Sequence, residues 1–128
     1  PQAPERPATT SQGWVTVGGK WRYVGNDGAY ATGWIKVKGT WYYLHGNGDM
    51  ATGWLKLGKT WYYLKGSGAM ATGWYQVGRT WYYSNGSGAM QANRWIGNYY
   101  VKSSGAMATS QWIGRYHVNA SGKWDKTR

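Results

Sequence analysis

The sequence contains no cysteine, which excludes disulfide staples and thiolate metal sites. Acidic side chains are scarce, four Asp plus Glu against 15 Lys plus Arg, for a formal net charge of +11. The four are Glu5, Asp27, Asp49 and Asp125, scattered along the chain. Glycoside hydrolysis needs two carboxylates held about 5–10 Å apart, and no such catalytic pair is visible. Histidine is limited to His45 and His117, with no cysteine or carboxylate cluster around them. Neither a metal site nor a catalytic triad is expected, and both histidines read as surface or turn residues. No apolar run approaches the roughly 18 residues of a membrane span. A leader peptide is missing too, and the opening at Pro1 reads as a piece cut from a longer protein.

Aliphatic residues are also few, with four Leu, three Ile and seven Val in 128, a composition that taken alone suggests disorder. The 11 Trp and 12 Tyr overturn that reading, because each large ring buries on the order of 150–250 Å². The core is therefore expected to be thin and aromatic. The excess of cations favours an anionic partner such as a phosphate-bearing polymer, a membrane surface or nucleic acid, or serves only to keep a ring-rich surface soluble.

What the chain does have is a repeat. Trp14, Trp34, Trp54 and Trp74 stand one period of about twenty residues apart, as do Trp21, Trp41, Trp61 and Trp81, the signature of a solenoid or array. Within each period two apolar-rich runs are separated by a pair such as Gly18-Gly19, Lys38-Gly39, Gly58-Lys59 or Gly78-Arg79, which reads as a β-hairpin with a two-residue turn. That turn places Leu57 opposite Thr60 and Trp54 opposite Tyr63. One face then carries Trp54, Lys56, Trp61 and Tyr63, a shelf of rings beside a lysine. The other carries Leu55, Leu57, Tyr62 and Leu64 and should pack on its neighbours, so Tyr42, Tyr62 and Tyr82 read as core. After residue 93 the pattern shortens: Trp95 to Tyr100 keeps the first Trp and the Tyr pair but loses the turn and the second Trp. The last unit, around Trp112 to Val118, repeats the short form. The expected layout is a linker over residues 1–12, rich in Pro and Thr, then a repeat module over 13–128. Its units are 13–32, 33–52, 53–72 and 73–92, followed by shortened units 93–109 and 110–128. Unit one, with Arg22 for the first Tyr and Tyr30 for the Met, reads as a cap.

Ser67 and Ser87 lie in Gly-Ser-Gly turns, where a turn role suffices, and the glycine-rich turns lack the Lys-Ser/Thr ending of a phosphate-cradling loop. The rings are what remains. Two Trp on one hairpin with a Tyr from the next can cage a quaternary ammonium, at about 0.5–2 kcal/mol per contact, or stack on sugar faces. Trp34, Trp54 and Trp74 share a face with Lys36, Lys56 and Gln76, which need water.

The pattern Gly-Trp-x-Lys-x-x-x-Thr-Trp-Tyr-Tyr-Leu-x-x-x-Gly-x-Met-x-Thr-Gly-Trp, carried by residues 33–54 and 53–74, resembles the cell-wall-binding repeat of Gram-positive surface proteins and murein hydrolases, best known as choline-binding modules. The resemblance covers about nine tenths of the chain. It implies an all-β fold, a left-handed solenoid of stacked hairpins holding phosphocholine of teichoic acids between consecutive hairpins. It also implies a ligand set of the Gly-Trp tryptophan and first ring of Trp-Tyr-Tyr from one hairpin, the last Tyr of Trp-Tyr-Tyr from the next, and the intervening Met. Carried over, that gives Trp34, Trp41, Met50 and Tyr63 for one groove and Trp54, Trp61, Met70 and Tyr83 for the following one. Trp74, Trp81, Met90 and Tyr100 form a third, and Trp14, Trp21 and Tyr43, with Tyr30 in the methionine's place, an earlier one.

The function implied is non-catalytic anchoring to a repetitive envelope polymer, choline-bearing or another teichoic acid. The protein would be secreted or cell-surface and attached to the wall, with no cofactor and no metal. An upstream domain in the parent protein and a homodimer through the C-terminal units are further expectations. Nucleic acid is not an expected partner, since a stepwise solenoid offers no continuous basic groove. Two other readings stand beside it: a module for glucan or peptidoglycan sugar, as in similar repeats of glucansucrases and toxins, and a structural stalk or self-association element.

Overall fold

The computed structural model describes residues 13–128; the linker expected over residues 1–12 lies outside them. The described residues are all-β, without a helix, and form thirteen strands: β1 (Gly13–Val17), β2 (Lys20–Val24), β3 (Gly33–Val37), β4 (Thr40–Leu44), β5 (Gly53–Leu57), β6 (Thr60–Leu64), β7 (Gly73–Val77), β8 (Thr80–Ser84), β9 (Arg94–Ile96), β10 (Tyr99–Val101), β11 (Gln111–Ile113), β12 (Tyr116–Val118) and β13 (Trp124–Thr127). Consecutive strands pair as two-stranded hairpins up to β9–β10, and β11, β12 and β13 make a three-stranded sheet.

The hairpin registers are those the two-residue turn dictates. Trp14 lies opposite Tyr23, Trp34 opposite Tyr43 and Trp74 opposite Tyr83, with Val37 opposite Thr40 and Val77 opposite Thr80 at the turn. The turn chemistry follows the glycine's place. Gly18-Gly19 and Lys38-Gly39 have positive φ at both central residues, while in Gly58-Lys59 and Gly78-Arg79 only the leading glycine does, matching the two primed turn types whose twist suits a hairpin.

The short units correct one expectation. They keep a two-residue turn, Gly97-Asn98 between β9 and β10 and Gly114-Arg115 between β11 and β12. What they lose is the outer part of each strand. Trp95 still faces Tyr100 across the pair, but the turn follows one pair later, at Ile96 and Tyr99. Asn98 thus stands directly before the Tyr pair, where a longer hairpin carries its second Trp.

The described residues cluster into two compact units. One comprises residues 13–55 with Tyr63–Met70, the other Lys56–Tyr62 with Ala71–Arg128. In the first, the fully buried side chains are Val24, Leu44 and Leu64, each the last residue of its strand. In the second, Ser84, Val101 and Val118 hold the same strand-end place, all at 0% exposure. Each repeat therefore contributes one larger fully buried side chain at its strand end, worth roughly 1.5–3 kcal/mol when it is aliphatic, with the small Ala71 and Ala108 also at 0% exposure. Ser84 is the exception: its hydroxyl lies 2.8 Å from the hydroxyl of Tyr75, itself buried. Tyr75 stands where β3 and β5 carry Ile35 and Leu55, so two departures from the repeat satisfy each other.

Between turns the chain returns along the previous hairpin. Met50 and Met70 N–H donate to the carbonyls of Trp21 and Trp41 in the first unit, and Met90 and Met107 N–H to those of Trp61 and Trp81 in the second. The loop after each hairpin is closed on itself, as by Lys65 N–H to the Ala69 carbonyl and Lys102 N–H to the Ala106 carbonyl. At its Gly68, φ is +90°, and a Cβ there would run into the Met50 sulfur.

Two further departures from the repeat are also partners. Arg22, in place of a Tyr, sends Nε to Asp49 Oδ1 at 2.9 Å. Asp49 itself stands where later units have Ala69 and Ala89. The guanidinium lies 5.0 Å over the ring of Tyr30, which replaces the methionine.

Candidate ligand-binding concavities

A β-strand sends neighbouring side chains to opposite faces, so the two tyrosines of Trp-Tyr-Tyr cannot serve the same hairpin. Tyr43 turns to its own hairpin, where its ring centroid lies 5.1 Å from Trp34. Tyr63 lies 4.9 Å from Trp54, Tyr83 lies 5.1 Å from Trp74 and Tyr100 lies 5.2 Å from Trp95. Tyr42 points the other way and reaches Trp14 of the preceding hairpin, 4.8 Å between centroids at 69°. Tyr99 does the same toward Trp74, at 5.6 Å and 66°.

Two concavities follow from this alternation, one in each unit. In the first, Trp14, Trp21, Tyr42, Met50, Gly66 and Ser67 line about 300 Å³. In the second, Trp74, Trp81, Tyr99, Met107 and Ser121 line about 330 Å³. In the first, the two tryptophans are held nearly perpendicular, Trp14 and Trp21 at 86° with centroids 6.5 Å apart. Their openings face solvent, Trp21 being 47% and Trp81 39% exposed.

Against the expected groove sets, the paired tryptophans of these two hairpins are brought together, and the third ring and the methionine differ. The ring is Tyr42 or Tyr99, where Tyr43 and Tyr100 were expected, because the strand alternation gives each hairpin's outer tyrosine to its own tryptophan. The expectation that Tyr42 is core is corrected with it; the ring is half-buried and walls the concavity. The methionine is Met50 where Tyr30 was expected and Met107 where Met90 was. The reason is the backbone bond that lays each methionine beside the preceding hairpin's second tryptophan. Tyr30 instead lies beneath Arg22. The pleat was the signal that could have found Tyr42 and Tyr99; nothing local in the sequence reports the crossing that brings Met50 and Met107.

The second hairpin keeps the same local geometry. Trp34 and Trp41 stand 6.4 Å apart at 87°, and Met70 follows beside Trp41 through its N–H bond. Trp54 and Trp61 are 36% and 39% exposed, and Met90 lies beside Trp61. Cations already sit on these rings: Lys36 Nζ is 5.8 Å over Trp41 and Lys56 Nζ 5.6 Å over Trp61. At such distances an ammonium is attracted to the negative ring face.

Among the described residues no group of His, Cys, Asp and Glu could hold a metal ion. His117, expected at the surface or in a turn, is a strand residue, its Nδ1 2.7 Å from Asp125 Oδ1 and its ring 5.0 Å from Trp112. Among the described residues no helix is long and apolar enough to cross a membrane.

Models of the choline-binding repeat match residues 11–52 and 51–95, and a second such model matches residues 89–124. No curated protein sequence gives a significant match. Among solved structures, the chain is similar to choline binding protein F from Streptococcus pneumoniae, crystallised in the presence of a tetrasaccharide-pentapeptide peptidoglycan analogue. The two share 51% identity over 91% of this chain and 40% of that one, with a TM-score of 0.84. CbpJ from the same organism shares 52% identity over 90% of this chain and 41% of its own, with a TM-score of 0.82. The modular autolysin LytC from S. pneumoniae shares 33% over 91% of this chain and 33% of its own, with a TM-score of 0.62. The chain thus spans less than half the length of each.

Proposed function

Because the chain belongs to the choline-binding repeat family, we propose that it is a non-catalytic anchoring module that attaches to the cell wall through a choline-bearing or related teichoic acid. The observation that carries this reading is the recurrence of one constellation, the two tryptophans of a hairpin, a tyrosine from the next hairpin and a methionine, as Trp14, Trp21, Tyr42 and Met50 and again as Trp74, Trp81, Tyr99 and Met107. Such a corner of ring faces suits a compact cation with a methyl shell, and each contact is worth about 0.5–2 kcal/mol. One concavity alone holds its ligand weakly. Several spaced along one polymer multiply into avidity through effective concentration.

The net charge of +11 opposes capture of a free cation but suits a zwitterionic polymer, whose phosphates pair with lysines and arginines at the rim. Lys36 and Lys56, poised over Trp41 and Trp61, are the cations we assign to that role. The protein would act at the surface of an exported parent, delivering to the wall whatever domain it is joined to.

Titration with choline, followed by tryptophan fluorescence, tests the reading. Saturable quenching by choline but not by dextran or a peptidoglycan saccharide is the expected result. Silence toward choline with a response to saccharide reverses it in favour of a sugar-binding module. Concentration-dependent sedimentation without any ligand response leaves a self-association element.

A further inference from the structure

The last two hairpins hold a third concavity whose residues the repeat motif does not name. Trp95, Gly97, Asn98, Tyr116 and Trp124 line about 320 Å³. The ring of Tyr116 stands 5.8 Å from Trp95 at 84° and 5.7 Å from Trp124 at 87°. Its origin lies in the backbone. In earlier turns of this unit the methionine N–H donates to the second tryptophan's carbonyl, Met90 to Trp61 and Met107 to Trp81. Trp124 N–H makes the same bond, at 2.7 Å, to Asn98. Asn98 therefore holds the place of the second tryptophan, and Trp124 that of the methionine. The ring that the shortened hairpin gives up comes back from the opposite wall.

We propose that Trp95, Tyr116 and Trp124 form an additional binding site for a quaternary ammonium group, with a tryptophan standing in the methionine's position. The proposal rests on the anchoring reading above. Tyr116 standing near a right angle to both tryptophans makes a corner that fits a compact cation, whereas a sugar ring asks for one broad flat face. The rings are accessible, Tyr116 at 40% and Trp124 at 43% exposure. Trp124 is also held in orientation, its indole N–H lying 3.2 Å from both the Lys126 carbonyl and the Thr127 hydroxyl.

The chain itself sets a cation on the neighbouring ring. The Arg128 guanidinium lies 4.3 Å over Trp112 and Lys126 Nζ 5.9 Å over it. Asp125, the one acidic side chain in residues 71–128, is engaged by His117 at 2.7 Å. The walls are thus rings rather than carboxylates, which selects a soft organic cation over a metal ion.

The test is a choline chloride titration of the whole chain, read at the assigned indole N–H signals in ¹H–¹⁵N spectra. Saturable shifts of Trp95 and Trp124, together with Trp74 and Trp81, are expected. Trp124→Met should silence the Trp95 response while leaving Trp74 and Trp81 responsive, which also shows that the variant is folded. The uncharged isostere 3,3-dimethylbutanol should bind here at least about threefold more weakly than choline. Unmoved Trp95 and Trp124 signals alongside shifting Trp74 and Trp81 overturn this site and leave the anchoring reading standing. No shift at any indole overturns both, and equal binding of the isostere overturns the ligand class.

Discussion

The concavity at Trp14 and the concavity at Trp74 are the same site on different foundations. The first lies between two full-length hairpins, with Leu44 sealed beyond Tyr42 on β4. The second lies between a full-length hairpin and a short one, and its first hairpin is closed by the Tyr75 and Ser84 hydroxyls instead of aliphatic carbon. Yet the volumes, about 300 and 330 Å³, and the ring types coincide. The lesson is that these two concavities take both tryptophans of one hairpin but only the inner tyrosine of the next. Trimming the next hairpin's tip spares the site before it and removes a ring from the site after it.

The foundations can be separated by substitution. Leu44→Ala empties a fully buried position and should cost about 2–5 kcal/mol, read as a lower urea midpoint. A loss below about 1 kcal/mol would mean that the strand-end residue does not hold the first unit together.

Gly68→Ala and Gly105→Ala probe what the two units share. Both glycines have left-handed φ, +90° and +87°, and an added Cβ would meet the sulfur of Met50 or Met90 respectively. Each should lose about 2–4 kcal/mol by thermal or urea unfolding. Clearly unequal losses would show that the methionine turns differ between the units.

Tyr75→Phe takes the hydroxyl partner from buried Ser84, at an expected cost of about 1–3 kcal/mol. The double change Tyr75→Leu with Ser84→Leu, which copies the Leu55 and Leu64 positions, should recover to within about 1 kcal/mol of the parent. If the double variant is as unstable as the single one, the hydroxyl pair is not a substitute for the aliphatic contact.

The smallest effects are on the ligand. Tyr42→Ala and Tyr99→Ala should each remove one ring contact and weaken choline at their own concavity by roughly 2- to 30-fold, about 0.5–2 kcal/mol. Tyr43→Ala and Tyr100→Ala should change site affinity less and stability more, since those rings pack on Trp34 and Trp95. The reverse order, measured by fluorescence titration, would return the tyrosine role to the outer residue.

Much of this was legible in one dimension, because hairpin geometry is local. The Gly58-Lys59 pair fixes a two-residue turn, the turn fixes the register, and the register puts each leading tryptophan opposite the outer tyrosine of its own hairpin. The same logic could have excluded Tyr43, the ring expected at Trp14, since a strand cannot turn Tyr42 and Tyr43 to one side. The short hairpins were harder to read. Gly97-Asn98 serves as a turn while also occupying the place of a lost tryptophan, and a pattern match counts only the loss.

The amino-acid order thus determined by itself the repeat, the hairpins and the ring-lined faces, all of which depend on neighbours within a few residues. Tertiary structure alone decided which methionine meets which tryptophan, that Arg22 and Asp49 or Tyr75 and Ser84 compensate each other, and that Trp124 returns a ring to Trp95. Those pairings are made where the chain comes back alongside an earlier turn. The return bonds run from backbone N–H to backbone carbonyl, groups that every residue here but proline carries alike, so side-chain identity does not announce them.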